Sequence, residues 1–284
     1  MKKILITGKD SYIGTSLERW LMILAGTYQV DTLDMRDSKW KEKSFVGYDV
    51  VFHVAGIAHV SKSHNMKDVY YKVNRDLTIE TAKKAKADGV GQFIFMSSII
   101  VYGDSSKSKR VIDNDTVPNP NNFYGRSKLQ AEEGIIPLGD EKFKVAILRP
   151  PMIYGKGSKG NYSRLARLAV RTPVFPDYNN VRSMLHIDNL CEFIKLIIDE
   201  EETGLFFVQN AEYVRTSELV KAIAEVHGKK IRMIKAFNWF IRLMFGFGAI
   251  SKLFGNLVYE QSMCKYKVNY QIRTFKESIE LTEK

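Results

Sequence analysis

The chain has 284 residues, 45% of them hydrophobic, enough to bury one substantial core or a core with a smaller satellite domain. Its 43 Lys and Arg against 32 Asp and Glu give a formal charge of +11, but the basic residues sit in short scattered groups such as Lys107–Arg110 and Lys229–Lys230. With no helix-turn-helix, zinc-finger or RNA-recognition motif beside them, nucleic acid is set aside as a partner and the excess reads as solvated surface or as a field for small anions.

The only cysteines, Cys191 and Cys264, are far apart and support neither a disulfide framework nor a metal site, so a reducing, cytoplasmic setting is expected. The apolar start of MKKILITG is too short for a signal-peptide core and reads as a first strand. From there, apolar runs and helical periods alternate. Lys3–Thr7 is expected as a strand, Ile13–Ala25 as a helix, Gln29–Asp34 as a strand, Asp49–Ala55 as a buried strand, Val69–Ala87 as a helix and Gln92–Ser97 as another buried strand. The alternation predicts an α/β fold, a doubly wound parallel sheet covered on both faces.

DNDTVPNPNNF, starting at Asp113, reads as a loop. A helix from about Tyr124 to Gly134 follows, then a strand at Lys144–Leu148 that Pro150 and Pro151 stop. Asn161–Val170 and Ile187–Asp199 read as helices, Gly204–Gln209 as a strand, and Thr216–Val226 as a helix capped at Thr216 or Ser217. The change near Pro150 divides the chain into an expected cofactor-binding domain, 1–150, and a smaller, mainly substrate-binding C-terminal domain, 151–284. About 182–210 of the latter is expected to fold back onto the sheet.

LITGKDSYIG, Leu5–Gly14, runs from a strand through a glycine into a helix, which gathers backbone N–H groups and the positive end of a helix dipole at one point. Gly8 supplies the tight turn, Tyr12 and Ile13 are expected among the cofactor-binding residues, and Gly14 lets the helix pack on the strand. Ser11 stands where a glycine would let the backbone approach a pyrophosphate. Alone, the loop is equally an ordinary turn capped by Asp10 or Ser11. Asp34 ends the second strand some twenty residues on, as a ribose site requires; a carboxylate there favours NAD over NADP, whereas Arg36 or Lys9 could pair with a 2′-phosphate.

In NFYGRSKLQAEEG, Tyr124 and Lys128 are one helical turn apart and share a face. A nearby ammonium favours a phenolate, and lowering a phenol by roughly three units corresponds to about 4 kcal/mol of differential stabilisation. The YxxxK spacing is common by chance. It gains weight from QFIFMSSIIVYG, a buried strand that delivers Ser97 and Ser98 to the carboxyl edge of the sheet, where ligands of open α/β folds bind.

Taken in order, these features resemble the extended short-chain dehydrogenase/reductase superfamily, in its NAD-dependent epimerase/dehydratase branch of sugar-nucleotide enzymes. The matching stretches are TGxxxxxG at Thr7–Gly14, YDVVFHVAG at Tyr48–Gly56, Asn74, SSIIVYG at Ser97–Gly103, YGRSK at Tyr124–Lys128, LRPPMIYG at Leu148–Gly155 and RSMLHIDNL at Arg182–Leu190. They cover most of the chain up to about Asn210.

The resemblance implies a Rossmann-type sheet and NAD as cofactor. It implies Tyr124 as base and acid, Lys128 lowering its pKa and holding the nicotinamide ribose, and Ser98 bonding the reacting oxygen. Ala55 and Gly56 would line the cofactor and Asn74 would support the active-site strand. Asn161 and Arg182 would meet the diphosphate of a sugar nucleotide, whose oxygens suit the planar arginine fork.

Three departures bear on the transfer. Ser11 replaces the middle glycine. Only Asp34–Tyr48 separates the second strand from the next, so a βα unit is missing and Asp34 could meet adenine instead of ribose. Ile99 and Ile100 stand where family dehydratases carry an Asp–Glu pair, which disfavours dehydration. The expected reaction is hydride transfer at C4 of a UDP-hexose or UDP-N-acetylhexosamine by an epimerase. A 4-ketoreductase of a UDP-4-keto-6-deoxy sugar, using NADH or NADPH, stays open beside it. A silent dinucleotide sensor is disfavoured by the intact Ser98, Tyr124 and Lys128.

His53, His59 and His64 match no zinc spacing and read as strand and loop residues, and His186 as structural. Ala236–Val258 is apolar and aromatic, but Arg242, Lys252 and several glycines rule out a transmembrane helix. Two readings stand for it: a packed helix pair or lid over the sugar site, and a helix lying on a membrane surface, peripheral to its inner face. A homodimer is also allowed for.

Overall fold

The computed structural model describes residues 1–24, 26–58, 66–107 and 110–284. The chain opens with β1 (Lys2–Thr7), whose last four residues are buried, as a strand covered on both faces requires. A turn leads into α1 (Tyr12–Met22), which stops short of the expected helix end; Ala25 itself lies outside the described residues. β2 (Tyr28–Leu33) follows, then β3 (Val50–His53). Between those two strands there is a single 3-10 turn at Ser38–Lys41. Trp40 and Phe45 from this stretch pack beside Leu5 and Val51, so bulky side chains cover the sheet where a helix is lacking.

The helix expected over Val69–Ala87 is three pieces: α2 (Met66–Tyr70), a π-helical turn at Tyr71–Asp76 and α3 (Leu77–Ala87). The widened turn carries Asn74 in a fully buried position, an insertion that a 3.6-residue period does not register. Next come β4 (Gln92–Met96), buried throughout, and β5 (Val111–Ile112). α4 (Phe123–Ile135) is capped by Asn122, whose side chain accepts the Gly125 N–H at 2.9 Å.

The remaining elements are β6 (Lys144–Leu148), β7 (Met152–Tyr154), α5 (Asn161–Arg171), β8 (Val174–Pro176), β9 (Met184–His186), α6 (Ile187–Asp199) and β10 (Gly204–Phe206). They are followed by α7 (Thr216–Val226), β11 (Arg232–Ile234), α8 (Asn238–Leu243), α9 (Gly248–Phe254), β12 (Val258–Tyr259) and α10 (Phe275–Glu283). The expected cap of α7 is corrected. Glu218 reaches back to accept the Arg215 N–H at 3.3 Å, while the Thr216 hydroxyl donates to the Leu253 carbonyl at 2.6 Å.

Six parallel strands form the main sheet in the order β10-β6-β4-β3-β1-β2. The chain starts at β1, adds β2 on one side and then crosses to β3 on the other, so the switch point lies between β1 and β3 and opens a crevice at their carboxyl ends. The chain divides into two compact units. The first, Met1–Gly103 with Pro118–Pro150 and Leu190–Val208, holds the sheet; the second is Asp104–Val117 with Pro151–Asn189 and Gln209–Lys284. The second is built on the strand pairs β11–β8, β12–β5 and β7–β9 and on a core that includes Tyr154, Leu165, Leu219, Ile223 and Phe254.

Candidate active site

The β1–α1 loop is shaped by what stands next to it. Gly8 has φ 105°, and a Cβ there would come within 2.9 Å of the Ala55 nitrogen, so only glycine fits where the loop crosses the end of β3. Asp10 is also left-handed, at φ 63°, and its exposed carboxylate lies 3.8 Å from Arg36. Ser11 caps α1: its Oγ accepts the Gly14 N–H at 3.2 Å. A Cβ on Gly14 would meet that Oγ at 2.6 Å and the Ile6 side chain at 3.1 Å. Ser11 and Gly14 are therefore one unit, with the hydroxyl filling space that the glycine leaves. Tyr12 and Ile13 form the first turn of the helix behind them.

Asp34 follows β2 directly, and Arg36 folds back onto it. The guanidinium bonds its carboxylate at 2.6 to 3.0 Å and the Arg36 backbone N–H adds a bond of 2.9 Å. These bonds hold the Asp34 carboxyl down at about 2. The two residues, expected to act on ribose and 2′-phosphate as alternatives, are partners of one another.

On α4, Lys128 is buried. Its Nζ donates to the Met96 carbonyl at 2.8 Å and lies 4.6 Å over the Phe95 ring. Gly56 lies against it: a Cβ there would stand 3.0 Å from Asn74 Oδ1 and 3.3 Å from Lys128 Nζ. Asn74 is bound three ways, accepting the Ile57 N–H at 2.9 Å and donating to the Ile57 carbonyl at 3.0 Å and to Ser127 Oγ at 3.2 Å. The π-helical turn thus ties the segment after β3 to α4 at Ser127. Burial lowers the Lys128 ammonium to about 7, and Glu132, one turn on, pulls it back up.

The Tyr124 phenol moves the other way from the expectation. Burial pushes it up; the neighbouring Ser98 side chain pulls it down and Tyr70, edge-on at 6.3 Å, pushes it up again. Lys128 does not lower it in the chain alone, because its ammonium is turned to the Met96 carbonyl. Ser98 caps the 3-10 turn Ile99–Tyr102, accepting the Ile100 N–H at 3.2 Å. A Cβ on Gly125 would sit 2.6 Å from the Ile100 carbonyl oxygen, so the glycine beside Tyr124 is what lets α4 close on the Ser98 turn.

Sequence reasoning missed the layer beneath. Ser97 donates to Glu132, Glu132 accepts from Arg149 at 2.5 to 3.2 Å, and Arg149 donates to the Tyr102 hydroxyl at 2.7 Å. All four side chains are buried. The signal was there in part: Tyr124, Lys128 and Glu132 are spaced i, i+4, i+8, and Arg149 ends an apolar strand.

In the second unit, Asn161 and Arg182 line one cavity of about 10 Å³, with Met152, Leu165, Thr216 and Lys252 around it. The space is about that of one water. Arg182 Nη1 donates to the Lys252 and Gly255 carbonyls at 2.7 and 3.2 Å, and burial lowers its guanidinium to about 10. His186 is buried edge-on to Tyr154 at 5.3 Å, and His53 lies between the hydroxyls of Thr7 at 2.7 Å and Thr78 at 3.1 Å. His59 and His64 lie outside the described residues. Among the described residues, no three His, Cys, Asp or Glu gather as a metal site would require.

The sequence profile of the NAD dependent epimerase/dehydratase family matches residues 4–207. The UDP-glucose 4-epimerase of Vibrio cholerae is 31% identical over 278 residues, covering 89% of this chain and 83% of that one. The GDP-6-deoxy-D-mannose reductase of Pseudomonas aeruginosa is 24% identical, over 82% of this chain and 83% of that one. Among solved structures, a UDP-glucuronic acid 4-epimerase from Bacillus cereus in complex with NAD superposes with a TM-score of 0.74, over 99% of this chain and 97% of that one. At 18% identity that likeness speaks for the Rossmann-type fold alone. The chain belongs to the NAD-dependent epimerase/dehydratase family and is an enzyme of the extended short-chain dehydrogenase/reductase type.

Proposed function

We propose that this enzyme is a 4-epimerase that uses NAD to invert C4 of a UDP-hexose or UDP-N-acetylhexosamine. The observation that carries the reading is the closing of α4 on the Ser98 turn at Gly125, which puts the Tyr124 phenol beside Ser98 and one helical turn from the buried Lys128. The similarity to the Vibrio cholerae 4-epimerase supports it.

The residues present suit a dinucleotide. Gly8 and Gly56, where a Cβ would collide, leave the walls next to Ala55 and Asn74 bare of side chains. In this reading Gly8, Ser11, Tyr12, Ile13 and Gly14 hold the pyrophosphate at the start of α1. Asp34, kept ionised by Arg36, meets the adenosine end, where a 2′-phosphate would have to displace the carboxylate from the guanidinium; this favours NAD over NADP. NAD, when bound, supplies the acceptor and later the donor of the C4 hydride.

Tyr124 takes the proton of the C4 hydroxyl and returns it after the ketosugar has turned over, while Ser98 bonds the C4 oxygen. Because burial favours the neutral phenol, positive charge must be close before the proton moves. Lys128 carries it, and Glu132 sustains that ammonium against its own desolvation. Residues 1–150 would bind the cofactor and 151–284 mainly the sugar nucleotide, with Asn161 and Arg182 on its diphosphate. Ile99 and Ile100, which offer no acid or base, argue against dehydration.

A 4-ketoreductase would use Ser98, Tyr124 and Lys128 once, and the similarity to the GDP-6-deoxy-D-mannose reductase keeps that second reading in play. Incubating the protein with a panel of UDP-sugars, with and without NADH, and following products by NMR separates the two. Turnover without net cofactor consumption is expected for the epimerase; stoichiometric NADH loss on a 4-keto sugar would replace it with the reductase.

A further inference from the structure

The second unit turns an aromatic surface to solvent. On α8, Trp239 is 68% and Leu243 72% exposed, with Phe240 beside them, and Phe247 after the helix is 61% exposed. Phe237, just before it, is exposed as well. A lone exposed leucine is ordinary, but five large apolar side chains open within residues 237–247 form a patch. The helix beneath is anchored: Ile241 is buried in the core, and Asn238 Nδ2 donates to the Asp177 carbonyl at 2.9 Å. The patch is therefore the outer face of a packed element.

Charge decides what would cover it. Between Glu225 and Glu260 the sequence has no Asp or Glu, yet it carries Lys229, Lys230, Arg232, Lys235, Arg242 and Lys252. Lys235, Arg242 and Lys252, the three nearest the aromatic residues in sequence, are all exposed. A two-fold contact between copies would set this basic surface against itself. An anionic bilayer complements both features, since Trp and Phe settle at the headgroup boundary while Lys and Arg hold lipid phosphates. Among the described residues, no helix is long and apolar enough to cross a membrane, so the contact lies on the surface.

We infer that residues 235–252 dock the protein on an anionic lipid bilayer, with Trp239, Phe240, Leu243 and Phe247 entering the headgroup boundary and Lys235, Arg242 and Lys252 on the headgroup phosphates.

The test floats the whole protein with vesicles of equal parts phosphatidylglycerol and phosphatidylcholine, and with phosphatidylcholine alone. The wild type is expected to float with the anionic vesicles, and less completely as salt is raised. Trp239→Ser combined with Phe240→Ser and Leu243→Ser should lower the partition about tenfold or more, because the apolar area is the main anchor. Lys235→Gln with Arg242→Gln and Lys252→Gln should erase the preference for phosphatidylglycerol. Every altered side chain is solvent-exposed, and unchanged circular dichroism and NAD binding confirm that the variants are folded. A wild type that does not float, a serine variant that floats equally well, or a dimer in sedimentation velocity that the serine variant alone converts to monomer would each overturn the assignment.

Discussion

The inner face of α4 and the outer face of α8 invert the usual placement of side chains in opposite senses. On α4, Lys128 and Glu132 are buried, Glu132 against Arg149. On α8, Trp239 and Leu243 stand in water. Charges are costly to bury unless they are paired and bonded, and each polar atom on the α4 side has a named partner that offsets the cost. The α8 residues have no such compensation within their own unit. The first inversion is closed by internal partners, and the second is left open for an external one.

Four substitutions break or sharpen that contrast. Tyr124→Phe should reduce turnover by about 10²- to 10⁴-fold, the usual worth of a positioned acid and base, with little change in the thermal midpoint. Unchanged steady-state rates would remove the mechanism. Glu132→Ala removes the carboxylate that faces the buried Arg149 guanidinium, and urea titration should report a loss of about 3–5 kcal/mol.

Lys128→Met addresses the cost of the buried ammonium. Its folded value of about 7 lies below the ordinary lysine value, so between the two the unfolded chain holds a proton that the folded chain has released. Stability from this group therefore rises with pH across that window, by at most about 1.4 kcal/mol per unit, and the penalty is fully present below it. Denaturant midpoints from pH 7 to 10 should flatten in Lys128→Met, while turnover is lost. Leu243→Ser, on the open side, should shift stability by no more than about 0.5 kcal/mol. A loss as large as that of Glu132→Ala would mean that the α8 surface is part of a core after all.

How far the sequence could be read follows from the range of the forces involved. Lys144–Leu148 and Ile187–Asp199 come out residue for residue, because continuous apolar runs and strong helical periods are local. The strand pairs of the second unit, only two or three residues long, carry no period to find. The break at Tyr71–Asp76 was hidden for a related reason, since one inserted residue barely disturbs an average period.

In the candidate site, type and spacing point to Ser98, Tyr124 and Lys128 but not to the direction of the Tyr124 shift. Desolvation depends on what the fold piles over a residue, and the added push from Tyr70 depends on where that ring comes to lie. The pairing of Glu132 with Arg149, and of Asp34 with Arg36, likewise depends on side-chain reach in three dimensions.

Asn74 has a consequence in time as well as in space. Its three bonds link Ile57 to Ser127 through one side chain, so the strand-end segment comes away from α4 only when the Ser127 bond or both Ile57 bonds break. Hydrogen exchange gives the measure: the Ile57 amide, although outside any regular element, should exchange as slowly as those inside α4, and Asn74→Ala should release it by orders of magnitude while the amides of β1 keep their protection.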